Sequence, residues 1–281
     1  MEEVTGVGRL KELVRQSRRE GRSVGFVPTM GALHEGHVSL VRRARAECSV
    51  IVVSIFVNPL QFAAGEDFQR YPRSPEKDAR LLAEAGADIL YLPDAEQMYP
   101  PAFSTSIEVG GVSEGGEGAV RPRHFRGVAT VVAKLFQQVD PDAAYFGRKD
   151  LQQVAVVSRM VRDLDIPVRI VVGEIIRDAD GLALSSRNAY LSPEERLRAA
   201  ALPRALFEAQ RRASRGERDS AVMENGCRTD LERAGLRVDY VEIVDPTTMR
   251  HSERIERGNA LTAAVRVGKT RLIDNVLLLE E

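Results

Sequence analysis

Ser23-Val24-Gly25-Phe26-Val27-Pro28-Thr29-Met30-Gly31-Ala32-Leu33-His34-Glu35-Gly36-His37-Val38-Ser39-Leu40-Val41 decides the fold of this chain. Ser23 to Val27 reads as a buried strand. From Gly36 onward, Val38, Leu40, Val41 and Ala44 recur at the spacing of a helix's apolar stripe. A strand, a short loop and a helix in that order collect free backbone N–H groups at a positive helix end, which attracts phosphate. Gly31 and Gly36 let the backbone come close to a ligand. Two of the four histidines, His34 and His37, add side-chain donors at the same place. This is where a parallel α/β sheet holds a nucleoside triphosphate. Each histidine taken singly also suits a core or surface position. Zinc fits poorly: the HExxH signature sets its histidines at i and i+4. Here the interval is i to i+3 with Gly36 inside it, and the only cysteines, Cys48 and Cys227, are far apart.

Working outward, Ser49–Val57 is a nearly unbroken apolar run of the kind found in parallel strands covered on both faces. Ser74-Pro75-Glu76 opens a helix and Gly86 ends it. Asp88–Leu92, Ala143–Phe146 and Val168–Val172 read as further strands, and Ser104–Val109 as a weak one. Leu10–Arg19, Gly127–Val139 and Lys149–Leu164 read as helices, and the glycine-rich Gly110–Gly118 as a mobile loop. Strands alternating with helices imply a doubly wound parallel sheet. The pattern changes near residue 175. Ser192-Pro193-Glu194-Glu195 opens a long helix, with the serine as cap, that Pro203 should kink or break. A second helix covers Asp219–Ala234. Asp239–Val244 and Ala260–Val267 read as strands, and Leu272–Leu279 is apolar. The expected division is a domain at 1–175 and a smaller α+β domain at 176–281.

Composition narrows the function. The 281 residues are 43% hydrophobic with a formal net charge of -1. A sizeable core is expected, and general nucleic-acid binding is disfavoured for lack of a basic surplus. No apolar run reaches membrane-spanning length. Met1-Glu2-Glu3-Val4 does not read as a signal peptide. Two distant cysteines make no disulfide framework, so a reducing cytoplasm is the expectation. Only five of the 40 basic residues are lysine. In so arginine-rich a chain, a lysine marks a place needing a compact point charge, and Lys149 stands among other suggestive residues.

Four more segments sit where chemistry is expected. Asn58 and Gln61 follow the Ser49–Val57 strand, beyond whose carboxyl end ligands bind; turn chemistry and surface exposure are the plainer explanations. Gly147-Arg148-Lys149-Asp150-Leu151-Gln152-Gln153 opens a helix after a strand. Lys149 suits a phosphate there, Asp150 a ribose hydroxyl or a cap, and Gln153 lies one turn on. Ser185-Ser186-Arg187-Asn188 offers hydroxyls and a guanidinium that suit pyrophosphate, or a capped polar linker. Arg121-Pro122-Arg123-His124 is a basic cluster suited to a carboxylate, a phosphate or plain solvation.

Together, Pro28 to His37, Phe56-Val57-Asn58-Pro59-Leu60-Gln61-Phe62, His124-Phe125-Arg126-Gly127-Val128, Lys149 to Gln153, Gly181 to Asn188 and Arg271-Leu272-Ile273-Asp274-Asn275 resemble the pantoate–β-alanine ligases. The likeness runs in order over most of the chain. It implies a Rossmann-like nucleotidylyltransferase fold in which His34 to His37 form the HIGH element, shared with class I aminoacyl-tRNA synthetases, and Ser185 to Arg187 a KMSKS-like loop. It implies that ATP, with magnesium, and pantoate give pantoyl adenylate and pyrophosphate, and that β-alanine then gives pantothenate and AMP. ATP would lie along Pro28 to His37, Gly147 to Asp150 and Leu184 to Arg187, with the Ile176 backbone near adenine. His34, His37, Lys149 and Arg187 would act on the phosphates, with His37 as proton donor. Gln61, Gln153 and Asn58 would bind substrate, Gln61 and Gln153 holding pantoate and Gln61 also meeting β-alanine. No metal ligands are assigned. The resemblance further implies a homodimer whose smaller C-terminal domain lids the site. A related nucleotidyltransferase making a dinucleotide or CDP-linked product is the second expectation, and an RNA-binding relic of a tRNA synthetase the third.

Overall fold

Val24–Thr29 is a strand that has almost nothing to offer water: every residue in it except Pro28 is buried. In the computed structural model, which describes residues 1–63 and 65–279, it is the second strand of the chain. The order is β1 (Glu2–Val4), α1 (Val7–Arg19), β2 (Val24–Thr29), α2 (Glu35–Glu47), β3 (Val50–Ile55), α3 (Pro75–Ala85), β4 (Ile89–Tyr91), α4 (Ala95–Met98), α5 (Gly116–Val120) and α6 (His124–Val139). There follow β5 (Ala143–Gly147), α7 (Leu151–Asp163), β6 (Arg169–Gly173), α8 (Pro193–Ala199), α9 (Ala201–Ser214), α10 (Ser220–Arg233), β7 (Arg237–Val244), β8 (Ala260–Val267) and β9 (Thr270–Leu277). Glu280 and Glu281, the end of the expected second domain, lie outside the described residues.

The chain divides into two units. The first, Met1–Val109 with Arg121–Arg148 and Val156–Glu174, contains a six-stranded sheet in the order β1-β4-β3-β2-β5-β6. All its neighbouring strands run parallel. The order reverses between β2 and β5, which pair directly through Gly25↔Ala143. In an open α/β sheet, the crevice beyond the carboxyl ends at such a reversal is where ligands bind. Val27, Val38, Val41, Ile51, Leu82 and Tyr145 pack into one core beneath that edge. β1 was not legible as a strand; it exists because Glu2 to Val4 pair with Ile89 to Tyr91. Conversely, Ser104–Val109 is not a strand. The Ile107 N–H there bonds to Thr130 Oγ1 on α6 (3.0 Å) and not to a neighbouring strand.

The second unit, Ile175–Glu281 with Gly110–Val120 and Lys149–Ala155, holds the antiparallel sheet β7-β8-β9. Leu202 and Leu206 of α9 and Met223 and Leu231 of α10 share a core with Leu261 and Val265 of β8. Two earlier segments therefore group with the residues that follow 175. The expected mobile loop at 110–118 is anchored: Gln152 donates to the Val112 and Gly115 carbonyls (3.0 and 2.8 Å) and accepts from Glu117 N–H (2.9 Å). Glu117 is 6% exposed and pairs with Arg271. Ser192 caps α8 as read from sequence, reciprocally with Glu195. The helix breaks at Ala200, which places Pro203 in the first turn of α9, where its missing N–H removes no helical bond. Ser74 stands at the start of α3 but makes no side-chain cap.

Candidate active site

After β2 the chain makes a left-handed turn, with φ of 83° at Gly31 and 49° at Ala32. A non-glycine residue in that region costs roughly 1–2 kcal/mol, so something must hold Ala32 there. Thr29 Oγ1 donates to the Ser54 carbonyl (2.8 Å) and accepts from Gly31 N–H (3.3 Å). The Asp78 carboxylate, 1% exposed, accepts from Ala32 N–H and Leu33 N–H, both at 2.8 Å. Burial pushes the Asp78 carboxyl upward and the two N–H bonds pull it back. No sequence signal singled out Asp78, because its partners lie 45 and 46 residues away.

The turn delivers His34 to the N-cap of α2. His34 Nδ1 accepts from Gly36 N–H (3.2 Å), and His37 Nδ1 accepts from His34 N–H (3.3 Å). A neutral imidazole that accepts at Nδ1 carries its proton on Nε2. The two rings thus form a pair of Nε2–H donors, their centroids 4.1 Å apart. They sit at the positive end of a 13-residue helix.

Gln61 contacts the residue before this turn: its Nε2 donates to Met30 Sδ (2.9 Å). Its amide is oriented from behind by Asn58, which is 1% exposed. Asn58 Nδ2 donates to Gln61 Oε1 and to the Gly127 carbonyl, both at 3.1 Å. Asn58 Oδ1 accepts from Leu60 N–H (3.2 Å) and from Tyr99 O–H (2.7 Å). Burial lifts the Tyr99 phenol far above its ordinary range, so that proton stays in place. The bonding capacity of the Asn58 amide is thus taken up inside the protein. The 3-10 turn Pro59–Gln61 lies directly on α6, where a Cβ on Gly127 would meet the Leu60 carbonyl oxygen at 2.2 Å.

The basic cluster before α6 turns inward at this point. Arg121 pairs with Glu66 through Nε–Oε1 and Nη2–Oε2, each 2.7 Å, and its Nη2 also donates to the Gln61 carbonyl (3.2 Å). His124 Nδ1 lies 2.8 Å from the same carbonyl. Burial raises the Glu66 carboxyl, but Arg121, the Ala63 N–H and His124 together outweigh it and leave the group below its usual range. Gln61 is thus held at its amide by Asn58 and at its backbone by Arg121 and His124.

In the second unit, Lys149 keeps a fifth of its side chain exposed and lies 3.8 Å from Asp150. The Lys149 carbonyl accepts from Asn275 Nδ2 (3.1 Å). Asn275 and its neighbour Asp274, each 1% exposed, interrupt the apolar β9. Arg177 grips Asp274 with two bonds (2.6 and 3.0 Å) and donates to the Asn275 carbonyl (3.2 Å). It thereby ties the 176–184 segment to the strand that holds Lys149. In that segment Leu184 N–H donates to the Ile176 carbonyl (2.9 Å), which sets those two residues side by side. Ser185 Oγ then caps the short 3-10 turn that carries Arg187. Gln153 is partly exposed, whereas Gln152 is spent on the 110–120 segment. Arg148, in the first unit, bonds Glu174 (2.5 Å).

The family model described as Pantoate-beta-alanine ligase matches residues 2–277. The chain belongs to this family. A pantothenate synthetase of Heliobacterium modesticaldum is 52% identical over 265 residues, covering 94% of each chain. The crystal structure of a pantothenate synthetase from Thermus thermophilus is 48% identical and superposes with a TM-score of 0.95, over 99% of this chain and 100% of that one. The Francisella tularensis pantoate-beta-alanine ligase, 33% identical with a TM-score of 0.83 over 99% and 98% of the two chains, was solved with β-γ ATP and β-alanine. The architecture expected from sequence, a doubly wound parallel sheet with a smaller α+β unit, is the one these relatives share.

Proposed function

We propose that this chain condenses pantoate with β-alanine to pantothenate, with cleavage of ATP to AMP and pyrophosphate. The carrying observation is family membership over residues 2–277 together with two pairs that follow β2, Met30 with Gln61 and His34 with His37. A carboxylate resists attack by an amine because it lacks a leaving group. In the first step a pantoate carboxylate oxygen attacks the α-phosphorus of ATP and pyrophosphate departs. In the second, the β-alanine amine attacks the acyl carbon of pantoyl adenylate and AMP departs.

The division of labour proposed here is the one the family resemblance implies. The backbone and side chains of Pro28 to His37 receive ATP, with the Nε2–H groups of His34 and His37 directed to phosphate oxygens. Fixed donors of this kind contribute ~3 kcal/mol each where charge develops. Lys149 and Arg187 supply positive charge for the same oxygens, and His37 is the proton donor. Gly147, Arg148 and Asp150, and Leu184 to Ser186, complete the ATP contacts, with the Ile176 backbone at adenine. Gln61 and Gln153 hold pantoate, and Gln61 also meets β-alanine. Asn58 serves by fixing the Gln61 amide, which is the use its internal bonds support.

Magnesium, if bound, would neutralise charge on the triphosphate. Among the described residues no three His, Cys, Asp or Glu side chains gather as a cage, and Asp78 spends both oxygens on backbone N–H groups. The holders we propose for such an ion are the phosphates themselves and water. The working form we propose is a homodimer, as the family resemblance implies. No described helix is long and apolar enough to cross a membrane. Two buried, unpaired cysteines suit a reducing cytoplasm.

The test is AMP release from ATP and magnesium with pantoate and β-alanine supplied together and each omitted in turn. AMP that requires both establishes the reaction. No AMP from folded protein overturns it and favours another nucleotidyltransferase. His34→Ala, His37→Ala and Lys149→Ala should each collapse adenylate formation in folded protein, and near-normal rates in all three would remove the assigned roles.

A further inference from the structure

We propose that Asp78 is a positioning residue for the adenylation step, acting through the Gly31–Leu33 turn. This rests on the ligase activity proposed above. Asp78 reaches the turn from α3, a different element, and is 1% exposed. Its two oxygens accept from two successive N–H groups, Ala32 to Oδ2 and Leu33 to Oδ1, each at 2.8 Å. Successive N–H groups converge on one anion only when the backbone is curled into a nest. Gly31 and Ala32, at φ 83° and 49°, supply that curl. The carboxylate therefore pins a conformation that Ala32 would otherwise leave.

The residue after the pinned pair is His34, whose N–H orients His37 and whose ring caps α2. A relaxed turn would swing both Nε2–H donors together and loosen the start of the helix. Gln61 also bonds Met30 beside the turn, but Asn58 at its amide and Arg121 and His124 at its backbone hold it from elsewhere. The consequence is selective. Chemistry at phosphorus depends on the clamp, whereas attack on an already formed acyl adenylate depends on it far less.

Asp78→Asn tests this. The amide keeps the size of the side chain but turns one acceptor into a donor facing an N–H group. The two half-reactions are measured separately: pantoate-dependent exchange of pyrophosphate into ATP, and amide formation from synthetic pantoyl adenylate and β-alanine. We expect exchange to fall about 100-fold, the scale of a 1 Å misplacement, with the second half-reaction within about 2-fold of wild type. Backbone hydrogen exchange at Ala32 and Leu33 should speed up locally while the urea midpoint stays close to that of wild type. Equal loss in both half-reactions, or no loss in either, overturns the proposal. If Asp78→Asn does not fold, Asp78→Ser, which retains one short acceptor, is measured the same way. Wild-type protein without pantoate-dependent exchange would refute the ligase reading itself, a separate outcome.

Discussion

Adding one methyl group at Gly127 should damage the enzyme more than its position one turn inside α6 suggests. An alanine Cβ there would stand 2.2 Å from the Leu60 carbonyl oxygen, 2.5 Å from its carbon and 2.7 Å from the Gln61 nitrogen. All three are backbone atoms, so no rotamer can relieve the clash. Contacts below 3.0 Å are essentially never seen for a real Cβ, so helix and turn must separate by roughly 1 Å. Overpacking of this kind costs about 1–3 kcal/mol of stability. The same displacement moves Gln61 and stretches the 3.1 Å bond from Asn58 Nδ2 to the Gly127 carbonyl. If Gln61 holds substrate as proposed, a shift near 1 Å there costs up to about 100-fold in rate, or ~2.7 kcal/mol of barrier. The assay is urea unfolding of Gly127→Ala beside steady-state kinetics with pantoate varied. We expect a lowered midpoint and a kcat/KM for pantoate reduced by one to two orders of magnitude. A folded variant with wild-type midpoint and kinetics would refute the close approach and, with it, the support assigned to Gln61.

Arg177→Met removes the partner of an almost fully buried carboxylate and should cost about 3–5 kcal/mol in urea unfolding, whereas Arg177→Met with Asp274→Leu should recover part of it; equal losses would deny that the stranded charge is the cause. Glu66 titrates below its ordinary range because Arg121, the Ala63 N–H and His124 together outweigh its burial, so its stabilisation is present above the unfolded value of about 4.3 and is lost as pH falls through the lower folded value. In Glu66→Gln the urea midpoint should therefore drop less between about pH 6 and pH 3 than in wild type, and an unchanged acid limb would contradict this. Burial pushes the Cys227 thiol up to about 12, so an aromatic disulfide reagent should leave it untouched in folded protein and titrate it after unfolding; rapid reaction in the folded state would show that it is accessible.

The sequence by itself determined what depends on local spacing. The strand–turn–helix at Ser23–Val41, the alternation of strands and helices to residue 173 and the Ser192 cap follow from periodicity and near-neighbour bonds, and they reappear at β2–α2, β3–β6 and α8. So does the pairing of His34 and His37 at the start of α2, because both rings bond to backbone within three residues. Tertiary structure alone decided what depends on partners far along the chain. β1 exists only through β4, and Glu117 is fixed by Arg271, 154 residues away. Asn58 could equally have faced a ligand until α6 closed on it through the Gly127 carbonyl, 69 residues on. Asp78 looked like one more acidic residue in the first turns of α3 until the fold set it beneath the Ala32 turn. Two residues could have been suspected: Asp274 and Asn275 are polar in an otherwise apolar run, and burying them demands partners, which Arg177 and the Lys149 carbonyl provide. A linear pattern encodes which groups are available for chemistry. Which of them are consumed in holding the others in place is settled only when distant segments meet.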